Sequence, residues 1–432
     1  MKVLLVYIIF LLSRFPLYAQ QDIAVIKQND KYGLIDNRGA ILLPCIYDEL
    51  AVSCSDLILC KQGDKYGFID RTGRTQIAFE YDDAGVFYND TTWVKKEGKV
   101  GFIARNGRLF IDCKYEQAGI FSEGMGGFKQ NGKWGFLDFK GEIVVQPKYE
   151  QVYRYNEGYA IVINQGRYGL LDKRGEEVVP LERYRYLDYI QGRREAFVGL
   201  EFPYKGKYDL LKVYHTKVDK ATLTQYKSIA IMPFAFYGNS ECGPVLHSEF
   251  MVFEDTISKQ GVLNGDLIEI IKGYDHINYL SPRLFLCRDS ETKKEYIVDS
   301  LGLILGDYSE YDEVNVYCEG KVIVRKGGKY GAIGLDKRKI IDFKYDELSR
   351  FDKGVAMANY KGSYYLINAR GKFISKKLDC DRLQHISYPY MIVIRKGEYY
   401  GAIDYSGKKI LPTKYETLID FYPQSLLKEP FY

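Results

Sequence analysis

The chain has 432 residues and a formal charge of +4, and its 40 Tyr and 23 Phe suit pleated, half-buried strands better than helices. So nearly neutral a chain offers no electrostatic case for nucleic acid, and its length exceeds what one hydrophobic core fills. A stacked array escapes that limit, because each unit buries its apolar surface against its neighbours.

Lys2 is followed by an unbroken apolar run from Val3 to Leu12, ended by Arg14 and Pro16. The run is too short to span a bilayer and has the form of an export signal, residues 1–19, with cleavage after Ala19. Losing Lys2 and Arg14 lowers the formal charge from +4 to +2. The expectation is therefore a secreted or periplasmic protein, or one held at the cell surface. No transmembrane segment is expected in the mature chain.

Residues 20–189 repeat themselves. KYGLIDNRG at Lys31, KYGFIDRTG at Lys65, KVGFIARNG at Lys99, KWGFLDFKG at Lys133 and RYGLLDKRG at Arg167 follow one another at intervals of 34 residues. A second landmark keeps the same phase, as Tyr47-Asp48, Tyr81-Asp82, Tyr115-Glu116 and Tyr149-Glu150. This period also occurs in helical tetratricopeptide arrays, so the local pattern must decide. Between Asp56 and Ala78 the chain reads as an apolar run, a Gly63-Asp64 turn, KYGFID, the turn Asp70-Arg71-Thr72-Gly73, and a second apolar run. That spacing predicts three short antiparallel strands and leaves no room for helices.

Each turn has its own chemistry. Asn131-Gly132 and its equivalents at Gly98, Gly166, Gly328 and Gly362 predict type I′ hairpins, which need positive φ. The recurring Asp-x-x-Gly, at Asp36, Asp70, Asp138, Asp172, Asp299 and Asp404 with Asn368 as an equivalent, predicts a type I turn whose Asp accepts backbone N–H bonds. One carboxylate per repeat falls far short of the oxygens that calcium takes. The Gly of each Tyr-Gly pair leaves room for a close approach, and the Tyr of Tyr-Asp/Glu is expected to pack on the adjoining unit with its hydroxyl at a polar rim.

Residues 190–290 lose the register. KYDLL from Lys207 and GYDHI from Gly273 look like remnants of the two landmarks, and Pro233, Pro244 and Tyr237 to Pro244 suggest insertions. They predict degenerate repeats or insertions. From 291 to 432 the pattern returns, at Glu295, Lys329, Ser363 and Tyr399, with Tyr311-Asp312, Tyr345-Asp346 and Tyr415-Glu416 in phase. About twelve units would fit the mature chain.

Trp134-Gly135, its Tyr-Gly equivalents, the Asp-x-x-Gly turns, the Tyr-Asp/Glu landmark and Phe121 to Gly124 (FSEG) together resemble the WG-repeat family of bacterial proteins. The likeness covers residues 22–189 well and 291–432 moderately. It implies a repeat scaffold, often exported, without an established catalytic site, and so supplies no functional residues.

Chemistry is hard to place on this chain. His215, His247, His276 and His385 share no repeat phase, and no metal-ligand spacing, nucleophile elbow or phosphate loop occurs. Cys45, Cys54, Cys60, Cys113, Cys242, Cys287, Cys318 and Cys380 show no CxxC and read as small buried hydrophobes, with room for one or two local bridges. No catalytic, cofactor-binding or metal residue is singled out, and no cofactor is expected. The fold expected is all-β, with 34-residue three-stranded meanders stacked into a curved or superhelical array; propeller-like rings are the alternative. The function expected is a non-catalytic protein-interaction scaffold at the cell envelope. A glycan or cell-wall binder is the first alternative, and an unrecognised enzyme site within 190–290 the second.

Overall fold

A computed structural model describes residues 23–422 except 37, 54, 89, 190–195, 202–207, 215–216, 224–225, 232–233, 236–244, 247–249, 265–267, 282, 383–385 and 388–390. The export signal, the prolines at 233 and 244, and the stretch 237–244 thus lie outside the described residues. What is described is all-β, in a succession of small antiparallel sheets.

Unit 2 shows the plan. Its strands Ile58–Gln62, Lys65–Ile69 and Thr75–Tyr81 (b, c and d) are the three expected from the sequence, and the connector after Tyr47-Asp48 adds a fourth, Glu49–Ala51 (a), in the order a-b-c-d. Counted this way there are ten units of three or four strands among the described residues. The unit is thus a four-stranded meander in most copies, because the backbone after each landmark pairs with strand b rather than crossing as a loop.

Local chemistry explains the unit. Asn131 and Gly132 have φ of 52° and 73°, the two left-handed residues of a type I′ turn. Asp70 Oδ1 accepts the N–H groups of Thr72 (2.8 Å) and Arg74 (3.1 Å), and Gly73 closes the turn at φ 83°. Asp36, Asp138, Asp172 and Asp404 do the same in their units. Strand d carries a bulge: Tyr66 pairs with Tyr81 but Phe68 with Ile77. The bulged backbone crosses Gly67, where a β-carbon would lie 2.9 Å from Ile77 O and Phe79 N. Only glycine fits there without moving the strand.

Units join through apolar clusters and through the landmark. Tyr81, Tyr115, Tyr149, Tyr345 and Tyr415 are all buried, and a buried aromatic contributes about 1.5–3 kcal/mol. Clusters combine Leu34 and Leu43 of unit 1 with Ile58 and Ile69 of unit 2, and Phe136 and Val145 of unit 4 with Ala160 and Leu171 of unit 5. Most Asp-x-x-Gly turns rest on the preceding unit's strand d, with Gly73 against Leu43 and Gly141 against Ile111.

The two ends of the array meet. Strand Thr417–Tyr422 pairs antiparallel with Ile23–Gln28, so unit 1 takes its strand a from the C-terminal end and b, c and d from the N-terminal end. Ala24, Ile26 and Ile35 share a buried cluster with Met391, Ala402, Leu411 and Tyr415, and Gly39 lies against Ile410 as its counterparts lie against their own neighbours. The result is a closed, propeller-like ring. Arg154 of unit 5 stacks 5.1 Å from the Tyr88 ring of unit 3, an approach across an intervening unit that places the ends of strand a toward the axis.

The middle of the ring is built differently. Strand d of unit 5 runs on as Glu177–Tyr189, and Ala196–Glu201, Tyr208–Tyr214 and Lys217–Leu223 extend its sheet to seven strands. The KYDLL segment lies in that extension, with Lys207 outside the described residues. Tyr274-Asp275 occupies a true landmark position at the end of unit 6 (Met251–Asp255, Gln260–Leu263 and Glu269–Tyr274, with Tyr226–Ile231 as strand a).

Candidate interaction surface

One face of the ring carries the b–c turns and the landmarks; the other carries the a–b and c–d turns. On the first face the landmark carboxylates are consumed in joining units. Asp48 binds Lys31 of its own chain's preceding unit and accepts the Gly63 N–H (3.0 Å) at the next unit's type I′ turn. Lys31 first, and then that N–H, hold Asp48 below the usual carboxylate range. Glu116 accepts from Asn131 (2.8 Å) and Gly132 (3.0 Å), and Asp275 accepts from Ser290 (2.7 Å) while pairing with Lys259 (2.8 Å). Glu416 completes the circle by accepting the Asn29 N–H at 2.8 Å.

The tyrosines of the landmarks are spent on packing. The Tyr345 hydroxyl donates to Gly371 O (2.7 Å), and the Tyr149 hydroxyl to Glu177 (3.2 Å), each in the following unit. Burial pushes the Tyr345 phenol up to about 12 and raises Tyr149 as well. Tyr66 reaches Glu49 (2.8 Å) and Tyr330 reaches Glu313 (2.8 Å) across their own sheets. Of the large tyrosines exposed on the surface, Tyr153, Tyr186 and Tyr399 stand at separate places in the array.

The six described cysteines, Cys45, Cys60, Cys113, Cys287, Cys318 and Cys380, are unbridged thiols. Burial pushes Cys60 and Cys287 up to about 12, which makes them inert packing groups. Cys54 and Cys242 lie outside the described residues, as do His215, His247 and His385. His276 is exposed on strand His276–Ser281, and no group of three or more potential metal ligands occurs among the described residues. No helix there is long and apolar enough to cross a membrane.

The second face carries exposed apolar residues in several units. Leu109, Phe139, Ile143 and Val144 of units 3 and 4 are exposed by 36–51% at the c–d turns or the start of strand d. Phe139 stacks on Phe121 at 4.7 Å, and Phe121 in turn meets Phe102 at 4.7 Å, so the exposed ring is held rigid by a buried aromatic column. Leu301 and Leu303 occupy the corresponding turn of unit 7, and Phe373 that of unit 9, where it packs 4.7 Å from Tyr365. These positions follow the repeat phase without a shared residue type: polar residues fill the turn in units 1, 2, 3 and 5.

The WG containing repeat model matches residues 32–66, 66–99, 101–134, 134–168 and 330–364. Among solved structures, a eukaryotic initiation factor is similar over 85% of this chain and 98% of its own at 9% identity and a TM-score of 0.41. BamB from Moraxella catarrhalis covers 67% of this chain and 94% of its own at 12% identity and a TM-score of 0.28. The WD40 beta propeller domain of Doa1 covers 56% and 88% at 10% identity and a TM-score of 0.26. No curated protein matches the sequence.

Proposed function

We propose that this carrier of WG containing repeats is an exported scaffold that binds a protein partner at the cell envelope and has no catalytic role. The observation that carries the protein-binding part is the rigid, exposed apolar rim around Phe139, since contiguous exposed apolar surface beside buried aromatics is the usual mark of a protein contact. Carbohydrate recognition would instead want exposed tyrosines arranged together, whereas most of the landmark tyrosines are buried and those of the Tyr-Gly pairs are half-buried, with Tyr66 and Tyr330 tied to glutamates of their own sheets. Export rests on Lys2 and the apolar run Val3 to Leu12.

Affinity capture from envelope extract tests the reading. The wild-type chain is expected to retain defined proteins that Phe139→Asp with Ile143→Asp releases; recovery of nothing by the wild type under native conditions would refute it. Amino-terminal sequencing of the mature protein tests export, with Gln20 as the expected first residue. Turnover in a hydrolase screen that maps to 190–290 would overturn the non-catalytic assignment.

A further inference from the structure

We infer that the arc of c–d turns running from unit 8 round to unit 3, beside the Phe139 rim of unit 4, is a docking surface for an anionic lipid bilayer. The turn fixes one position in every unit, four residues after its leading Asp or equivalent. Followed round the ring from unit 8, that position is Arg338, Lys372, Lys408, Ala40, Arg74 and Arg108; in units 4 and 5 it becomes Glu142 and Glu176. Cations therefore fill a run of six adjoining units, interrupted only at Ala40, where Arg38 of the same turn is exposed instead. In sequence the run lies at opposite ends of the chain. Pairing of Thr417–Tyr422 with Ile23–Gln28 is what makes it one arc.

The charges in this arc are available. Arg74, Arg108, Lys372 and Lys408 are exposed and stand in no salt bridge among the described residues, and Arg338 pairs only with Asp336 of its own turn (3.3 Å). Asp70 and Asp404, which lead two of these turns, are committed to their own turns' N–H groups. The chain's low net charge hides the arc because many acids sit in the landmarks on the opposite face; those of the a–b turns share this face, where Asp90 and Glu123 face the c–d turn cations Arg105 (3.9 Å) and Lys173 (3.1 Å) rather than the arc.

Beside the cations lie exposed apolar side chains: Ile340 (39%), Phe373 (43%), Ile41 (59%) and Leu109 (42%). Each belongs to the same turn or the start of the same strand, so charge and apolar surface stand at one level around a closed ring. A single extended polyanion would use the charges and leave the aliphatic groups in water. A bilayer surface uses both, with cations at the headgroups and apolar side chains at the acyl boundary.

The test is co-sedimentation of the full mature chain with vesicles. Binding is expected to vesicles of about one-third phosphatidylglycerol and not to pure phosphatidylcholine, and it should weaken as salt screens the charges. The double variant Arg108→Glu/Lys372→Glu should bind about tenfold or more weakly, while Lys99→Glu/Lys361→Glu, an equal charge change on the opposite face, should stay within about twofold of wild type. Thermal melting of both variants checks that the ring is intact. Leu109→Ser/Phe373→Ser should lower binding at every salt concentration. Equal binding to neutral vesicles, equal loss in the two charge variants, or binding of soluble polyglutamate without binding of vesicles would each overturn the inference. No protein partner is present in this assay, so its outcome is separate from that of the capture experiment.

Discussion

Gly135→Ala is the sharpest test of why the repeat contains its glycine, and Gly127→Ala in the neighbouring strand is its control. A β-carbon at 135 would lie 2.9 Å from Pro147 N and 3.0 Å from Gln146 C, and nearer still to the Val145 carbonyl oxygen. All three belong to the bulged backbone of strand Ile143–Tyr149, so no flexible side chain can swing aside. Overpacking of this kind costs about 1–3 kcal/mol, against which Ala regains about 0.5–1 kcal/mol through the entropy that Gly loses on folding. At 127 the nearest atoms are Val152 Cγ2 at 3.4 Å and Phe136 Cε1 at 3.8 Å, ordinary contacts. Urea titration should therefore show Gly135→Ala destabilised by about 1–2 kcal/mol and Gly127→Ala unchanged or slightly stabilised. Equal midpoints for the two variants would refute the claim that the bulge, rather than the strand as such, requires glycine.

Three further outcomes are expected. Glu116→Ala removes the acceptor from the Asn131 and Gly132 N–H groups and should destabilise by about 1 kcal/mol, as loss of a cap does, with faster hydrogen exchange at those two amides. Asp48, Asp82, Asp275 and Asp346 are held low in the folded state, each first by its lysine; their stabilisation is complete above the unfolded carboxylate value of about 4 and is lost as pH falls through the lower folded values. Melting temperature should accordingly drop below about pH 4, and less steeply in Asp48→Asn. In a Cys54→Ser/Cys242→Ser background the native protein should react slowly with a thiol reagent and the urea-unfolded protein rapidly, because burial keeps Cys60 and Cys287 protonated; fast native labelling of either would contradict the packing described.

Much of the unit was legible in its residues. Asn131-Gly132 and Asp70 to Gly73 foretold their turns because each needs a backbone geometry few residues adopt, and Gly67 foretold a close approach because a strand interior otherwise disfavours glycine. Strand a was missed: pairs as short as Asp83–Ala84 have no room to show alternation. Ring closure stood only as the alternative to an open array, because pairing Ile23–Gln28 with Thr417–Tyr422 leaves no periodic trace. The exposed rim escaped notice because Phe139 and Leu301 depart from the repeat rather than obey it, and repetition was what the sequence reading followed.

The borrowed strand of unit 1 also sets an order for biogenesis. Ile23–Gln28 is made about 390 residues before its partner Thr417–Tyr422, so one edge of its sheet stays open for roughly 20–80 s at 5–20 residues per second. An open edge is a template for any extended chain. Until Thr417–Tyr422 emerges, the nascent protein must keep that position vacant or lend it to a chaperone, and two copies that exchange this strand would form an interlocked dimer.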